Sequence, residues 1–516
     1  MGGIYLNSYL PGIAPKNKIG RISGYGWSFG YVGGLIALAV CYILFIQPES
    51  TMHERMGLMY LSSNLKAKNH EVHMVLADSF GPEGLVQEVE RFCPDIIGYS
   101  VMTSELETVL AINTALKSNS KWKFLSVFGG PHPTFAPDEM IKRDGVDAIC
   151  VGEGDLAFPE FCNQVKLGKD FWNTPNFLVN HDGEIFKNPI GPLVENLDDL
   201  LFPDREMMYG ADPNLRENGR KMFFGSRGCP YLCTYCFNAE YNKMTKGQGD
   251  VMRHRSPENV IEEVLKVKER YPMNTVWVDD DTFLIKPKGW IAKFCGLLKE
   301  QVGLPFDINI RPDLVKDDVI SDMKEGGLNS IWMGVECGDE QIAGKVLKRH
   351  TPNQRIHRAA DVLKRHKVKF VTQNMMGLPV DQAFEADLKT LDFNIALGPT
   401  YAWSSILYPF PGTEVYRYAL ENGYLETKEV PILETTRVSS SLKFASKAEA
   451  RRIENLHKLF GIIVNFPFLR KYCEILCELP LTKVYGVFYY LWYGYSLKIK
   501  LDSFVSIRKE MVGFIG

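Results

Sequence analysis

The chain has no block of like charge. Its 59 lysines and arginines are balanced by 62 aspartates and glutamates over 516 residues, giving a net charge of -3 with histidine neutral. That balance excludes the basic field expected of a nucleic-acid binder. No apolar run reaches the ~20 residues that a membrane-spanning helix needs. The longest, Tyr31 to Ile46, follows Lys16, Lys18 and Arg21 and is broken by Gly33-Gly34. Its second half, Cys41 to Gln47, reads better as a buried strand. No secretory leader stands out, and there is no disulfide framework. Eleven cysteines are an odd count and lie scattered, which points to a reducing compartment and a cytoplasmic location. Low-complexity tracts and internal repeats are absent as well. Residues 1–40 fit none of these patterns and stay unassigned as an N-terminal extension.

What is present is ordinary globular composition, 45% apolar and 23% charged, at a length that implies two or three domains. From residue 41 to 170, short apolar runs alternate with amphipathic stretches. Strands are expected at Tyr42–Ile46, Val72–Leu76, Asp95–Tyr99, Phe124–Phe128 and Ala148–Val151, with helices such as Arg55–Lys66, Glu105–Lys117 and Asp155–Val165 between them. Continuous apolar strands separated by helices imply a parallel sheet covered on both faces. Five such units make an α/β, flavodoxin-like (Rossmann-like) domain whose ligand site lies beyond the C-terminal strand ends. Small residues gather at those ends: Ser100, then Gly129, Gly130 and Thr134, then Gly152, Glu153 and Gly154. One such loop would be a tight turn. Three on one edge favour a bulky ligand approached closely by backbone.

Residues 171–220 are rich in Asn, Asp, Gly and Pro and read as a linker. Residues 221–430 form a second alternating series. Its expected strands are Met222–Gly225, Thr275–Val278, Phe306–Ile310, Ser330–Val335, Lys369–Gln373 and Ala402–Leu407. Ser256-Pro257 and Thr351-Pro352 look like helix N-caps followed by first-turn prolines. Six units in this order suggest a partial (β/α)6, TIM-like barrel, with chemistry at the C-terminal strand ends. Residues 431–516 read as a helical C-terminal region.

Directly after the first barrel strand comes Gly228-Cys229-Pro230-Tyr231-Leu232-Cys233-Thr234-Tyr235-Cys236. Thiolates are the ligands that iron–sulfur clusters require. Spacings of four and three fit one loop around a cubane, leaving the fourth iron open. A zinc site would want a fourth ligand nearby, and the nearest histidine, His254, is distant in sequence.

With these cysteines at a strand end, the sequence resembles the radical S-adenosylmethionine superfamily, and more narrowly its cobalamin-dependent class, over roughly residues 41–425. The resemblance implies a 4Fe–4S cluster on Cys229, Cys233 and Cys236 that cleaves S-adenosylmethionine to a 5′-deoxyadenosyl radical. It implies cofactor contacts from Tyr235, from Asp279 and Asp280 in the Asp279-Asp280-Asp281 run, from Glu336 and from Gly377. It further implies cobalamin over the strand-end loops of the first domain. The sequence lacks the Asp-x-His-x-x-Gly loop that supplies a lower histidine to cobalt in other cobalamin binders, and His132, between two prolines, is read as structural. The expected activity is methylation of an unreactive carbon in a small-molecule substrate, with ferredoxin or flavodoxin as electron donor. The alternatives are an oxidative cyclase like the magnesium-protoporphyrin monomethyl ester cyclase, or a non-catalytic cobalamin or redox sensor.

Cys473 and Cys477 are one helical turn apart and are expected to be core residues, as is Cys337. Near the C-terminus, Tyr485, Phe488, Tyr489, Tyr490, Trp492, Tyr493 and Tyr495 are too dense for a solvated helix. A packed cap on the barrel is expected. Peripheral membrane contact is the alternative, suggested by Lys483, Lys498 and Lys500 around the run.

Overall fold

In a computed structural model, the described residues are 40–51, 53–426 and 439–501. Residues 1–39, with most of the unassigned extension, lie outside them. The first sheet holds β1 (Tyr42–Gln47), β2 (Glu71–Leu76), β3 (Ile96–Ser100), β4 (Leu125–Gly129) and β5 (Ala148–Cys150), all parallel. Their order, β2-β1-β3-β4-β5, is the flavodoxin-like order. Each strand falls where a continuous apolar run predicts it. The reason is burial on both faces: Ile43 and Phe45 enter one apolar cluster, Leu44 and Ile46 the other.

The presumed linker is structured. β6 (Phe177–His181) and β7 (Glu184–Lys187) pair antiparallel and extend the first sheet beyond β5. The Asp182-Gly183 turn joins them with positive φ at both residues, 51° and 86°, the backbone that a two-residue hairpin demands. Further along, Met207, Met208 and Tyr209 are buried in the core shared with the barrel. The segment read as a spacer therefore belongs to both halves.

The second sheet comprises β8 (Arg220–Phe223), β11 (Thr275–Val278), β12 (Phe306–Ile310), β13 (Leu328–Glu336), β14 (Lys369–Met376) and β15 (Tyr401–Ile406), all parallel, ordered β15-β14-β13-β12-β11-β8. A small antiparallel pair, β9 (Ser226–Arg227) with β10 (Arg253–His254), follows β8. This is the expected open six-stranded barrel. The side chains of Val276, Ile308, Ile331 and Met333 pack outward in one core with Val260, Ile261, Phe294 and Ile320 of the surrounding helices.

Helix 257–270 starts as the sequence suggests, with Ser256 Oγ accepting the Asn259 N–H. The second expected cap fails. Helix Asn353–Arg365 begins after Pro352, and the Thr351 hydroxyl instead accepts from Arg311 Nη2 at 3.1 Å. The cap was given up to a tertiary contact near the cysteine loop.

One buried charge network joins the halves. Arg205 donates to Glu54 at 2.9 Å and to Glu263 at 2.8 Å, and Arg255 donates to Glu263 at 2.6 Å. Glu54, just after β1, also accepts the backbone N–H of Met222 in β8 at 2.6 Å. Buried charges are tolerable only when every one is paired this way.

Candidate active site

The cysteine loop leaves β9 and is pinned by backbone geometry. Gly228 sits at φ +92°, and a Cβ there would lie 1.9 Å from the carbonyl oxygen of Val251, so no other residue fits. Thr234, buried in mid-loop, donates its hydroxyl to Val346 O at 2.7 Å and its N–H to Leu347 O at 3.1 Å. Asn242 Nδ2 donates to Cys229 O at 2.8 Å. Burial pushes the Cys229 thiol up to about 11 and the Cys236 thiol up to about 12; binding iron therefore releases protons.

This donor set fits a cubane better than a single ion. Three thiolates on one loop suit a cubane, which takes each on a different iron. Arg311 Nη1 lies 3.5 Å from Cys233 Sγ, and its guanidinium covers the Tyr231 ring at 3.6 Å. A fixed cation beside thiolates offsets the negative charge of a cluster. Arg311 was missed in the sequence although its signal was legible: it follows the apolar run of β12 directly, as Glu336 follows that of β13.

Glu336 adopts φ +69°, a strained conformation for a non-glycine residue, and such strain clusters at functional sites. Its carboxylate is 3.8 Å from Arg349 Nη1, which also donates to the Tyr235 hydroxyl at 3.2 Å. Burial raises the Glu336 pKa and Arg349 partly offsets the rise. Tyr235, Glu336 and Arg349 thus form one cluster against the cysteine loop.

The three aspartates separate. Asp280 is buried and accepts the N–H groups of Gly225 and Ser226 at 2.8 and 2.9 Å, with Lys286 as its ion-pair partner. It thereby holds the start of the loop. Asp279 accepts from Asn309 at 2.6 Å, and burial pushes its carboxyl up to about 6. Asp281 reaches solvent, yet desolvation raises its carboxyl pKa, Asn238 donates to it, and its charge acts on Cys229 and Cys236. Gly377, at φ +64°, donates its N–H to the buried Asp387.

At the C-terminal edge of the first sheet a cavity of about 330 Å³ opens, lined by Ser100, Gly129, Gly130, Gly152, Glu153 and Gly154 among others. Six of the seven strand-end residues singled out in the sequence therefore meet in one place. The seventh, Thr134, stands behind them, its hydroxyl accepting the Gly152 N–H at 3.1 Å. The glycines leave a cradle that side chains would fill, as a corrinoid site needs. A volume of this size takes only part of such a ligand. His132 does not line the cavity. Its Nδ1 is 3.2 Å from Thr103 Oγ1, and burial lowers its pKa.

Phe224 and Arg227, on either side of the β8–β9 turn, line this cavity too. Arg227 pairs with Asp155 at 2.8 and 3.1 Å, and Arg253 holds Glu153 through both nitrogens of its fork. Glu153, which lines the cavity, thus also belongs to a clamp across the two halves. Beyond the cysteines, Phe237 stacks on Phe135 at 4.4 Å. The cysteine loop is therefore held against the first domain at both ends.

Inside the barrel, strand positions facing away from the surrounding helices carry Arg220, Trp277, Asn309, Trp332, Gln373 and Trp403, of which Trp332 and Trp403 pack against a cluster that Leu497 and Leu501 of the C-terminal segment form with Tyr401. All but Arg220 are only half-buried. The Arg220 guanidinium lies 3.3 Å from the centre of the Trp277 ring, and its Nε and Nη2 are buried without a hydrogen-bond partner.

Comparison with known proteins agrees with this geometry. The B12 binding domain family matches residues 43–162 and the Radical SAM superfamily matches residues 224–391. An uncharacterized methyltransferase of Pyrococcus horikoshii is 27% identical over 380 residues, 72% of this chain and 80% of its own length. The anaerobic magnesium-protoporphyrin IX monomethyl ester cyclase of Synechocystis sp. is 23% identical over 328 residues, covering 61% of this chain and 62% of that one. Among solved structures, the cobalamin-dependent S-adenosylmethionine radical enzyme OxsB shares the fold, with a TM-score of 0.67 at 14% identity over 92% of this chain and 78% of OxsB. With its glycine cradle ahead of a three-cysteine barrel loop, the chain is an enzyme of the radical S-adenosylmethionine superfamily that carries a B12-binding domain, and its cofactors are a 4Fe–4S cluster, S-adenosylmethionine and cobalamin.

Proposed function

We propose that this enzyme methylates an unreactive carbon of a small molecule seated in the barrel lumen. The observation that carries the reading is the placement of the cysteine loop, clamped at both ends against the domain that holds the glycine cradle. When bound, the cluster would supply the electron that cleaves S-adenosylmethionine and the corrinoid would carry the methyl group. The chain's own residues supply positioning. Cys229, Cys233 and Cys236 would hold three irons while Arg311 offsets their charge. Glu336 would accept hydrogen bonds from ribose hydroxyls, its carboxylate held by Arg349. Trp277, Trp332 and Trp403 offer flat apolar walls to substrate, and Arg220 offers a buried cation to an anionic group on it. A ferredoxin or flavodoxin is the expected electron donor.

The test is anaerobic reconstitution followed by incubation with candidate substrates, or extract, and S-adenosylmethionine carrying a deuterated methyl group. The expected result is a product that gains the labelled methyl. Release of 5′-deoxyadenosine with no label in any product would instead favour the oxidative cyclase, the activity of the Synechocystis relative.

A further inference from the structure

The C-terminal helix Thr482–Tyr495 shows two faces. Its inner face packs: Tyr485 is buried, Tyr489 meets His457 at 5.1 Å, Trp492 meets Phe466 at 5.3 Å, and Tyr493 meets Tyr401 of β15 at 6.1 Å. Its outer face carries Val484, Val487, Phe488, Leu491 and Tyr495, all exposed. At about 100° per residue these five fall within an arc of roughly 100°. Ile475, Leu479 and Leu481 before the helix and Ile499 after it are exposed as well. More than half of the large apolar side chains exposed among the described residues lie between Phe466 and Ile499. An exposed apolar helix face of this kind marks an interaction site.

Its charge names the partner. Five cationic and only two acidic side chains lie between Phe466 and Leu501, in a chain whose net charge is -3. Lys483, in the first turn of the helix, and Lys498, just past its end, are exposed. An apolar face rimmed by lysines is the pattern of a helix lying in the interface of an anionic bilayer. Spanning is not the reading, since no helix among the described residues is long and apolar enough to cross a membrane. We infer that this face docks the enzyme peripherally on an anionic lipid surface, with Phe488 and Leu491 entering the acyl boundary and Lys483 and Lys498 meeting headgroups.

The experiment uses the full reconstituted chain and flotation with vesicles of phosphatidylcholine alone or mixed with an equal part of phosphatidylglycerol. The expected result is flotation with the mixed vesicles, weaker with phosphatidylcholine alone, and reduced by high salt. Phe488→Ser with Leu491→Ser should cut partitioning by about tenfold or more. Lys483→Glu with Lys498→Glu should remove the preference for phosphatidylglycerol. Both variants should keep their iron and cleave S-adenosylmethionine as before. Binding that survives both pairs of substitutions would overturn the inference by placing the contact elsewhere. A chain that never floats would overturn it too. In that case a dimer seen by sedimentation velocity, and broken by the serine pair, would assign the face to a second copy. Flotation gained only after removal of residues 502–516 would show that this chain's own terminus occupies the face.

Discussion

Glu336 combines two costs, a left-handed backbone and burial, and Arg349 offsets the burial only in part. A residue chosen for stability alone would be glycine, and the carboxylate therefore points to a bound partner. Glu336→Gln keeps the shape and removes the charge. Its fold and iron content should persist, while affinity for S-adenosylmethionine, read by calorimetry on the reconstituted protein, falls about tenfold or more. Unchanged affinity would show that it is not a cofactor contact. Cys233→Ala tests the neighbouring ligand and should abolish both the cluster and S-adenosylmethionine cleavage.

Arg220 poses the opposite case. Its buried Nε and Nη2 lack partners, a deficit of about 1–3 kcal/mol for an unsatisfied group. The Trp277 ring and the charges of Asp307 and Asp279 offset that deficit, so Arg220→Met should change the melting temperature little, and raise KM if the substrate is anionic. A clear loss of stability with KM unchanged would make Arg220 structural. The seating of His132 on Thr103, away from the cavity, bears on the cobalt's lower face. The cob(II)alamin form should show no nitrogen superhyperfine splitting in electron paramagnetic resonance. Splitting from a protein nitrogen would reverse that assignment.

Among the elements, the cysteine loop depends most on one position. Gly228→Ala puts a methyl group against the Val251 carbonyl on a backbone that alanine resists, a strain of about 1–3 kcal/mol. The loop or β10 must shift, and bound iron should fall well below that of the parent chain.

The strands around it were legible in the sequence. Tyr42–Gln47 is buried on both faces over most of its length and continuous apolar sequence records that directly, whereas Phe306–Ile310 alternates, with Phe306, Ile308 and Ile310 on the face packed against helices. Less legible was the hairpin Phe177–Lys187, because β7 is largely exposed and its run is short. Only Asp182-Gly183 announced it. Thr351 misled for a different reason, since its sequence neighbours promise a cap while its actual partner, Arg311, lies forty residues away. Within the site, the cysteines and the strand-end glycines could be read from spacing. The duties of Asp280 and Glu153 could not, because pairing with Lys286 and Arg253 is a property of the folded chain.

Across the whole molecule, the clamp of Arg227 and Arg253 on Asp155 and Glu153 joins two domains that already share a core. Breaking both pairs strands two carboxylates at a largely buried junction, at a cost of about 3 kcal/mol or more. The parent chain should unfold in one calorimetric transition. Arg227→Met with Arg253→Met should lower its midpoint and split it in two. A single unshifted transition would show that the Glu54–Arg205–Glu263 network alone couples the halves.

Glu153 stands between Gly152 and Gly154, so the loop that shapes the corrinoid cradle also carries one side of the clamp. The two tasks cannot be inherited separately. A chimera that grafts this first domain onto another barrel should dock only if the barrel supplies arginines in register with Arg227 and Arg253. Lacking them, the graft would carry an intact cradle with an unpaired glutamate at its rim.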